Sequence, residues 1–424
     1  MQNTLKELIA GFHENGIPKY IDREIPINLN FLKMNVALVL IGPRKAGKTY
    51  VLYDIMNKIL NKGHELEEFI YINFEHELLA GMKKEELQLI EKAYADIYPN
   101  KKPIFFLDEI QNIDGWQFFV RRLIEQQKKV VITGSNSNLL SSELATHLGG
   151  SYIEHEIMPL SFQEYLKFKN VEATKKKIHG SPSKMNALLK DYLLYGGFPE
   201  ISKSNDDELR KKLIRSYFNT LVYRDIADRY KLKDTKTLVL MIEKIKENIT
   251  NPFAYRKIEL ILKDMGFSMS RATLLTYEQY LNAAYFLFPV FQLRNSFVER
   301  EKERKAYFAD NFYVNHLSLK PEMDKLVENA VFLQLRKLGK VNYLRNGKEI
   351  DFVLTVEKKH TPIQVSYDIS KFETFQREQG GLDAGEQFLK QRGYLISMVK
   401  GKREALSLLD FLVDPEIVLQ RKQK

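Results

Sequence analysis

The sequence predicts an α/β protein that opens on a doubly wound parallel sheet, continues through a run of helices and ends in a second, mixed α/β region. Three observations carry this. Val36-Ala-Leu-Val-Leu-Ile41 is an unbroken apolar run, as a parallel strand buried on both faces requires. Shorter runs of the same kind recur at Phe69–Ile72, Ile104–Leu107 and Val130–Thr133. Helical spacing separates them: Val51, Leu52, Ile55, Ile59 and Leu60 follow the first run. Trp116, Phe119, Val120, Leu123 and Ile124, between the last two, fall on one stripe of a helix that covers the sheet. Strands and helices in alternation build parallel sheets with helices on both faces.

The chain has 424 residues, more than one hydrophobic core usually serves, so two or three domains are expected. With 44% hydrophobic and 28% charged residues the composition is globular rather than disordered. No apolar run reaches the roughly 18 residues of a membrane helix. The longest, Ala283–Leu293, is interrupted by Pro289. The first residues carry acids inside their apolar stretch, unlike a signal peptide. The absence of cysteine excludes disulfides, a thiol nucleophile and a cysteine-based zinc site. A cytoplasmic protein with no membrane partner is expected. The net charge of +10 suits a polyanionic partner or simply reflects a lysine-rich surface, because basic and acidic residues interleave along most of the chain.

Residues 161–250 read as helices, broken at Gly196-Gly-Phe-Pro199. Residues 251–295 read as two helices, a short turn and a strand. From Tyr307 the pattern is mixed again, with a helix around Glu328 and strand-like runs at Ile350–Val356 and Pro362–Tyr367. The expected division is 1–160, 161–235, 236–305 and 306–424.

Gly42-Pro43-Arg44-Lys45-Ala46-Gly47-Lys48-Thr49 fills the pattern G-x-x-x-x-G-K-T, leaving an apolar strand and opening a helix. This is the P-loop of a nucleoside triphosphatase. Glycines let the backbone fold into a nest of N–H groups around phosphate oxygens, and the helix N-terminus adds partial positive charge. The segment from Gly42 to Tyr50 is therefore the candidate ATP cradle. Lys48 would reach the outer phosphates and Thr49 would supply a hydroxyl to Mg2+. Ligands of such sheets sit at the C-terminal ends of strands, where Asp108 and Glu109 follow Leu107. Asp108 is the expected magnesium ligand, directly or through water. Glu109 is the expected base that orients and deprotonates the attacking water, so hydrolysis is the expected reaction. Thr133-Gly-Ser135-Asn136 ends the fourth run, and either Thr133 or Ser135 is placed to sense the γ-phosphate; the other reading is a turn that merely favours small polar residues.

These segments, with Trp116–Leu123, Pro159-Leu-Ser-Phe162, Tyr195-Gly-Gly-Phe-Pro199, Arg224-Asp-Ile226 and Glu349-Ile-Asp-Phe-Val353, resemble in order the archaeal and bacterial AAA-type ATPases that carry a C-terminal domain of unknown function with a restriction-endonuclease-like fold. The resemblance implies that the P-loop strand lies beside the fourth strand, with the Asp108 strand next. It implies a helical lid whose Gly197 and Pro199 touch the nucleotide, and a winged helix after it; a homo-oligomer is expected with a DNA-acting motor or remodeller. One departure stands out. Where the family commonly has arginine, this chain has Ser151. Arg121 or Arg122 would then be the cation reaching a neighbouring subunit's nucleotide; the alternative is a basic helix face.

Tyr255–Gly266, the turn Phe267-Ser-Met-Ser270 and Arg271–Ala284 have helix-turn-helix spacing, packed by Leu274, Leu275, Tyr277 and Leu281. Ser270, Arg271 and Thr273, at the start of the second helix, are the candidate DNA contacts; the alternative is a unit that only docks within the protein. Arg294–Lys305 is either its wing or a solvated face. In the C-terminal region the resemblance implies a metal site with an acid on one strand and E/Q-x-K on the next. Asp351 and Gln364 match, but Ser366 replaces the lysine, while Glu328 and Glu349 are further acids. A degenerate nuclease fold used for binding or assembly is the preferred reading. The expected function is an Mg2+-dependent ATPase acting on DNA; the alternatives are a nucleotide-driven switch that binds a protein and an ATP-dependent nuclease.

Overall fold

Ala37–Ile41 (β1) is buried along its whole length, as its unbroken apolar run requires. Around it Phe69–Asn73 (β2), Ile104–Asp108 (β3), Lys129–Gly134 (β4) and Tyr152–Glu156 (β5) form a parallel sheet in the order β2-β3-β4-β1-β5. The four expected strands are present, and β1 lies beside β4 with β3 next. The sequence reading missed β5. Its residues Tyr-Ile-Glu-His-Glu are two apolar residues followed by three polar ones, and the strand lies half exposed at the sheet edge, so no apolar run marks it.

The computed structural model describes residues 1–420 apart from 136–143, 173–179, 268, 295, 297, 298, 300, 319 and 402. It divides into two compact units, Met1–Met158 and Pro159–Lys424. In the first, the helices are Gln2–Asn15 (α1), Lys48–Leu60 (α2), Leu89–Ile97 (α3) and Trp116–Glu125 (α4). The expected stripe of α4 is buried, whereas Phe118, on the opposite face, is 56% exposed. Leu38 and Leu40 of β1 share a core with Val51, Leu52, Ile55, Met56 and Ile59 of α2. Each side chain of this kind contributes about 1.5–3 kcal/mol on burial. That core anchors both ends of the P-loop.

The second unit begins with Phe162–Phe168 (α5), Pro182–Tyr195 (α6), Pro199–Lys203 (α7) and Asp207–Thr220 (α8), which runs on into a π-helical stretch to Asp228. Thr235–Glu247 (α9), Tyr255–Asp264 (α10) and Arg271–Ala283 (α11) precede an antiparallel hairpin of Leu287–Phe291 (β6) and Arg304–Phe308 (β7). The expected boundary between 305 and 306 falls inside β7. Asn311–His316 (α12) and Met323–Leu338 (α13) lead to Lys340–Asn346 (β8), Lys348–Val356 (β9) and Lys359–Asp368 (β10). Phe372–Leu389 (α14) then crosses to Tyr394–Val399 (β11), and Leu406–Ser407 (β12) precedes Leu408–Val413 (α15). The sheet order is β12-β11-β10-β9-β8, with β8, β9 and β10 antiparallel and β11 parallel to β10. Among the described residues no helix is long and apolar enough to cross a membrane.

Candidate nucleotide site

The P-loop leaves β1 at Gly42, where a Cβ would stand 2.0 Å from the carbonyl oxygen of Ile157 just beyond β5. No side chain fits, so glycine here is a requirement of close backbone approach. Lys45 and Gly47 take positive φ, and Gly47 caps α2. The Lys48 side chain folds back into the loop. Its Nζ donates to the carbonyls of Gly42 at 3.1 Å and Pro43 at 3.2 Å, and lies 3.2 Å from Glu109 Oε1. Arg44 pairs with Glu75, while Lys45 and Tyr50 are exposed.

Asp108 ends β3 and is buried. The Thr49 hydroxyl donates to its Oδ2 at 2.8 Å, the Tyr71 hydroxyl to the same oxygen at 3.2 Å, and the Thr133 hydroxyl to Oδ1. Burial, reinforced by the neighbouring Glu109 charge, pushes Asp108 up to about 6. Glu109 has left-handed backbone, φ 53° and ψ 42°, and its N–H donates to Thr133 Oγ1 at 2.8 Å. Burial works to raise its pKa as well, but the Lys48 and Arg44 charges and a hydrogen bond from Gln111 outweigh that and hold it at about 2. Two adjacent carboxyls are thus driven apart, Asp108 upward and Glu109 downward.

Ser135 is buried, with its Oγ 3.4 Å from Gln111 Nε2. Asn136 lies outside the described residues. Thr133 holds both acids, so of the two sensor candidates it is the one that touches Asp108 directly. Three residues escaped sequence reading. Tyr71 reaches Asp108 from β2. Gln111 stands two positions after Glu109, a spacing that was readable; its Oε1 is buried without a hydrogen-bond partner. Arg23 carries no local signal. Its guanidinium is buried and donates to the carbonyl of Ala46 in the P-loop and to that of Met158, both at 2.8 Å. The oxygens of Thr49 and Asp108, with the unpartnered Oε1 of Gln111, whose amide nitrogen donates to Glu109, fit a hard divalent cation that keeps most of its water.

A family described as an AAA domain matches residues 34–166, and one described as a domain of unknown function (DUF8612) matches 186–324. The uncharacterized protein MJ1544 of Methanocaldococcus jannaschii is 35% identical over 362 residues, covering 83% of this chain and 79% of that protein. The chain belongs to its family. An uncharacterized protein of Haemophilus influenzae is 31% identical over 350 residues, covering 80% of this chain and 85% of its own length. Among solved structures, the Walker-type ATPase paby2304 of Pyrococcus abyssi aligns with a TM-score of 0.45 at 16% identity, over 71% of this chain and 99% of that one.

The remaining candidates have partners within their own units. Arg121 is exposed and pairs with Glu125 one turn on, at 2.9 Å. Arg122 pairs with Glu91 of α3 and lies over the Phe119 ring. Ser151, at the position where relatives by resemblance carry arginine, accepts the Ala37 N–H at the start of the β1–β5 pairing. Gly197 donates its N–H to Asp310 at 2.8 Å and accepts that of Leu160 at 2.7 Å. A Cβ at Gly196 would stand 1.5 Å from Asp310 Oδ1 and one at Gly197 2.3 Å from Leu160 O. Phe198 packs on Phe312, and Pro199 opens α7. Internal packing therefore accounts for the Gly-Gly-Phe-Pro sequence.

Ser270 caps α11 as expected, accepting the Thr273 N–H at 3.2 Å, and both Ser270 and Arg271 are exposed. The Arg271 N–H is occupied by Glu259, at 3.1 Å. Leu274, Tyr277 and Leu281 are buried as expected. Residue 268 of the turn and 295, 297, 298 and 300 of the basic stretch lie outside the described residues. In the C-terminal region Glu328, Glu349 and Asp351 do converge, and Ser366 is buried on β10. Burial holds Glu328 well above the ordinary carboxylate range, against the pull of Lys305.

Proposed function

We propose that this chain hydrolyses ATP with Mg2+, and that Lys48 switches Glu109 on. The observation that carries the reading is the ion pair between them, 3.2 Å long and almost dry. Without nucleotide the ammonium neutralises Glu109 and holds its proton affinity too low for a base. A triphosphate offers Lys48 a denser negative charge. As the ammonium turns to the phosphates, Glu109 loses its counter-ion and its proton affinity rises. Gln111 and Thr133 keep Glu109 in place during the exchange. Mg2+, held by Thr49 and Asp108, would neutralise charge on the phosphate oxygens. The backbone N–H groups of the P-loop and the N-terminus of α2 bind the phosphates, and Arg23 fixes the loop from behind.

The partner supported best is DNA. The order α10, turn, α11 and β6–β7 hairpin is that of a winged helix, with Ser270 and Arg271 exposed at the start of the second helix and a net charge of +10 behind them. The deciding experiment is steady-state ATPase activity with and without single-stranded, duplex and branched DNA at two salt concentrations. DNA-acting coupling requires stimulation that fades steeply with salt and weakens in Arg271→Ala. Hydrolysis indifferent to every DNA would leave a nucleotide switch for a protein partner. Hydrolysis unchanged in Lys48→Ala would remove the ATPase reading itself.

A further inference from the structure

The C-terminal sheet lacks a lysine where the nuclease-like resemblance asks for one, at Ser366. The structure supplies a lysine from elsewhere in the chain. Lys305 of β7 points into the acid cluster with a side chain only 1% exposed. Its Nζ lies 3.3 Å from Glu328 Oε1, 3.0 Å from Glu349 Oε1 and 3.2 Å from Asp351 Oδ1. An ammonium has three N–H donors, and here three carboxylates take them. Further hydrogen bonds tie the cluster to its surroundings. The Tyr307 hydroxyl donates to Glu328 Oε1 at 2.7 Å, and Asp351 Oδ2 accepts the Val365 N–H at 3.0 Å. Asp351 N–H in turn donates to Gln364 Oε1 at 3.3 Å, and Gln364 donates to Glu378 at 2.8 Å. The residues that would match a nuclease metal site are therefore committed to an internal network centred on a lysine.

The fit to a divalent cation fails on geometry. Mg2+ needs oxygens at about 2.0–2.1 Å in an octahedron. The carboxylate oxygens surround Nζ at ammonium hydrogen-bond lengths, and the ammonium stands in the space between them. Among the described residues no group of three or more His, Asp or Glu side chains is arranged to hold a metal ion. We propose that the Lys305 ammonium is the resident cation of this cluster, a tethered charge in the position that a divalent metal would take, so that the C-terminal sheet is closed to Mg2+ and serves binding or assembly rather than phosphodiester cleavage. The same lysine ties hairpin β6–β7 to α13 and β9, which makes the hairpin and the sheet one structural body.

The proposal makes a gain-of-site prediction. Removing the ammonium leaves the buried Asp351 and the partly buried Glu328 and Glu349 without their shared counter-ion, which destabilises the fold and creates a demand for a cation. The test uses the full chain in an Asp108→Asn background, without nucleotide, so that the P-loop site contributes no metal binding. Mn2+ binding is counted by electron paramagnetic resonance and thermal melting is followed in EDTA and in Mn2+. With Lys305 intact, the protein should bind no Mn2+ that Asp351→Asn removes, and its melting temperature should ignore the metal. Lys305→Ala should melt lower in EDTA, recover on adding Mn2+, and lose that recovery when Asp351→Asn is added. An Asp351-dependent Mn2+ site in the protein with Lys305, or metal-dependent DNA cleavage abolished by Asp351→Ala, overturns the proposal. So does a folded Lys305→Ala protein that gains no Mn2+ site. Should that variant not fold, Lys305→Met takes its place, and Mn2+ binding with and without Asp351→Asn in the protein that keeps Lys305 decides in any case.

Discussion

Lys48 Nζ and Glu109 Oε1 stand 3.2 Å apart with side-chain exposures of 3% and 10%, so the phosphate-binding cation of the loop is also the counter-ion of the candidate base. On the function proposed above, phosphate binding and activation of the base would compete for this one ammonium and be coupled through it.

Glu109→Gln removes the competition and the base together. Turnover should fall by about 10²–10⁴-fold, the usual range for loss of a positioned general base. Nucleotide affinity should hold or rise, because Lys48 no longer has to leave a carboxylate. Titration with a fluorescent ATP analogue beside a steady-state phosphate assay checks both. Weaker binding in this variant would show that the ion pair does not restrain Lys48.

Asp108, pushed up to about 6 by burial and the Glu109 charge, gives the metal requirement a pH dependence. A metal ligand must be ionised, and below its pKa Asp108 carries a proton that Mg2+ has to displace. The Mg2+ concentration for half-maximal activity should therefore rise as pH falls through about 6, approaching tenfold per unit, and level off above it. Asp108→Asn should raise the Mg2+ concentration needed at every pH and flatten the profile. A midpoint that does not move between acidic and neutral pH rules the linkage out.

Arg23 donates to Ala46 O and Met158 O at 2.8 Å each, and hydrogen bonds from a charged donor contribute about 1.5–3 kcal/mol. Part of that holds the P-loop in shape. Arg23→Ala should weaken nucleotide binding by roughly tenfold, about 1.4 kcal/mol, with a smaller change in turnover at saturation. Arg23→Lys, which cannot bridge two carbonyls from one planar group, should recover little. Unchanged affinity in Arg23→Ala would make Arg23 a residue of folding only.

Gly197 and Asp310 define a stability prediction in the second unit. Asp310→Ala leaves the Gly197 and Phe312 N–H groups without their acceptor, at about 1–3 kcal/mol for each buried group. Gly197→Ala forces a methyl group against the Leu160 carbonyl, and overpacking of this kind costs about 1–3 kcal/mol. Urea denaturation measures both. Burial pushes Asp310 up to about 7, above its unfolded value. A raised folded-state pKa contributes stability below the unfolded pKa and loses it as pH rises through the folded one. The unit should therefore lose stability from about pH 4 to about pH 7 and level off above it, and Asp310→Asn should flatten that slope. If Gly197→Ala instead leaves stability intact and abolishes nucleotide binding, the lid contact implied by resemblance takes precedence over the packing role.

Much of the first unit was legible because its signals are contiguous. The P-loop, the acid pair after β3 and the stripe of α4 each lie within a few residues, where chain geometry alone sets their spacing. The strand order, by contrast, entered through resemblance, and β5 was lost because a half-exposed edge carries no apolar run. In the second unit helix-turn-helix spacing and the Ser270 cap were readable, being local. The absence of a lysine at 366 was also readable, but its meaning was not.

Sequence alone determined that a phosphate cradle exists, that Asp108 and Glu109 stand together at a strand end, and that the chain is basic. Only the tertiary structure decided that Lys48 neutralises Glu109, that Arg23 braces the loop from outside the motif, and that Lys305 meets Asp351 across 46 positions. The physical reason is the range of the interactions. Periodicity and backbone nests are set by neighbours along the chain, whereas an ion pair is set by distance in space, and in a sheet that distance depends on the order in which strands come together.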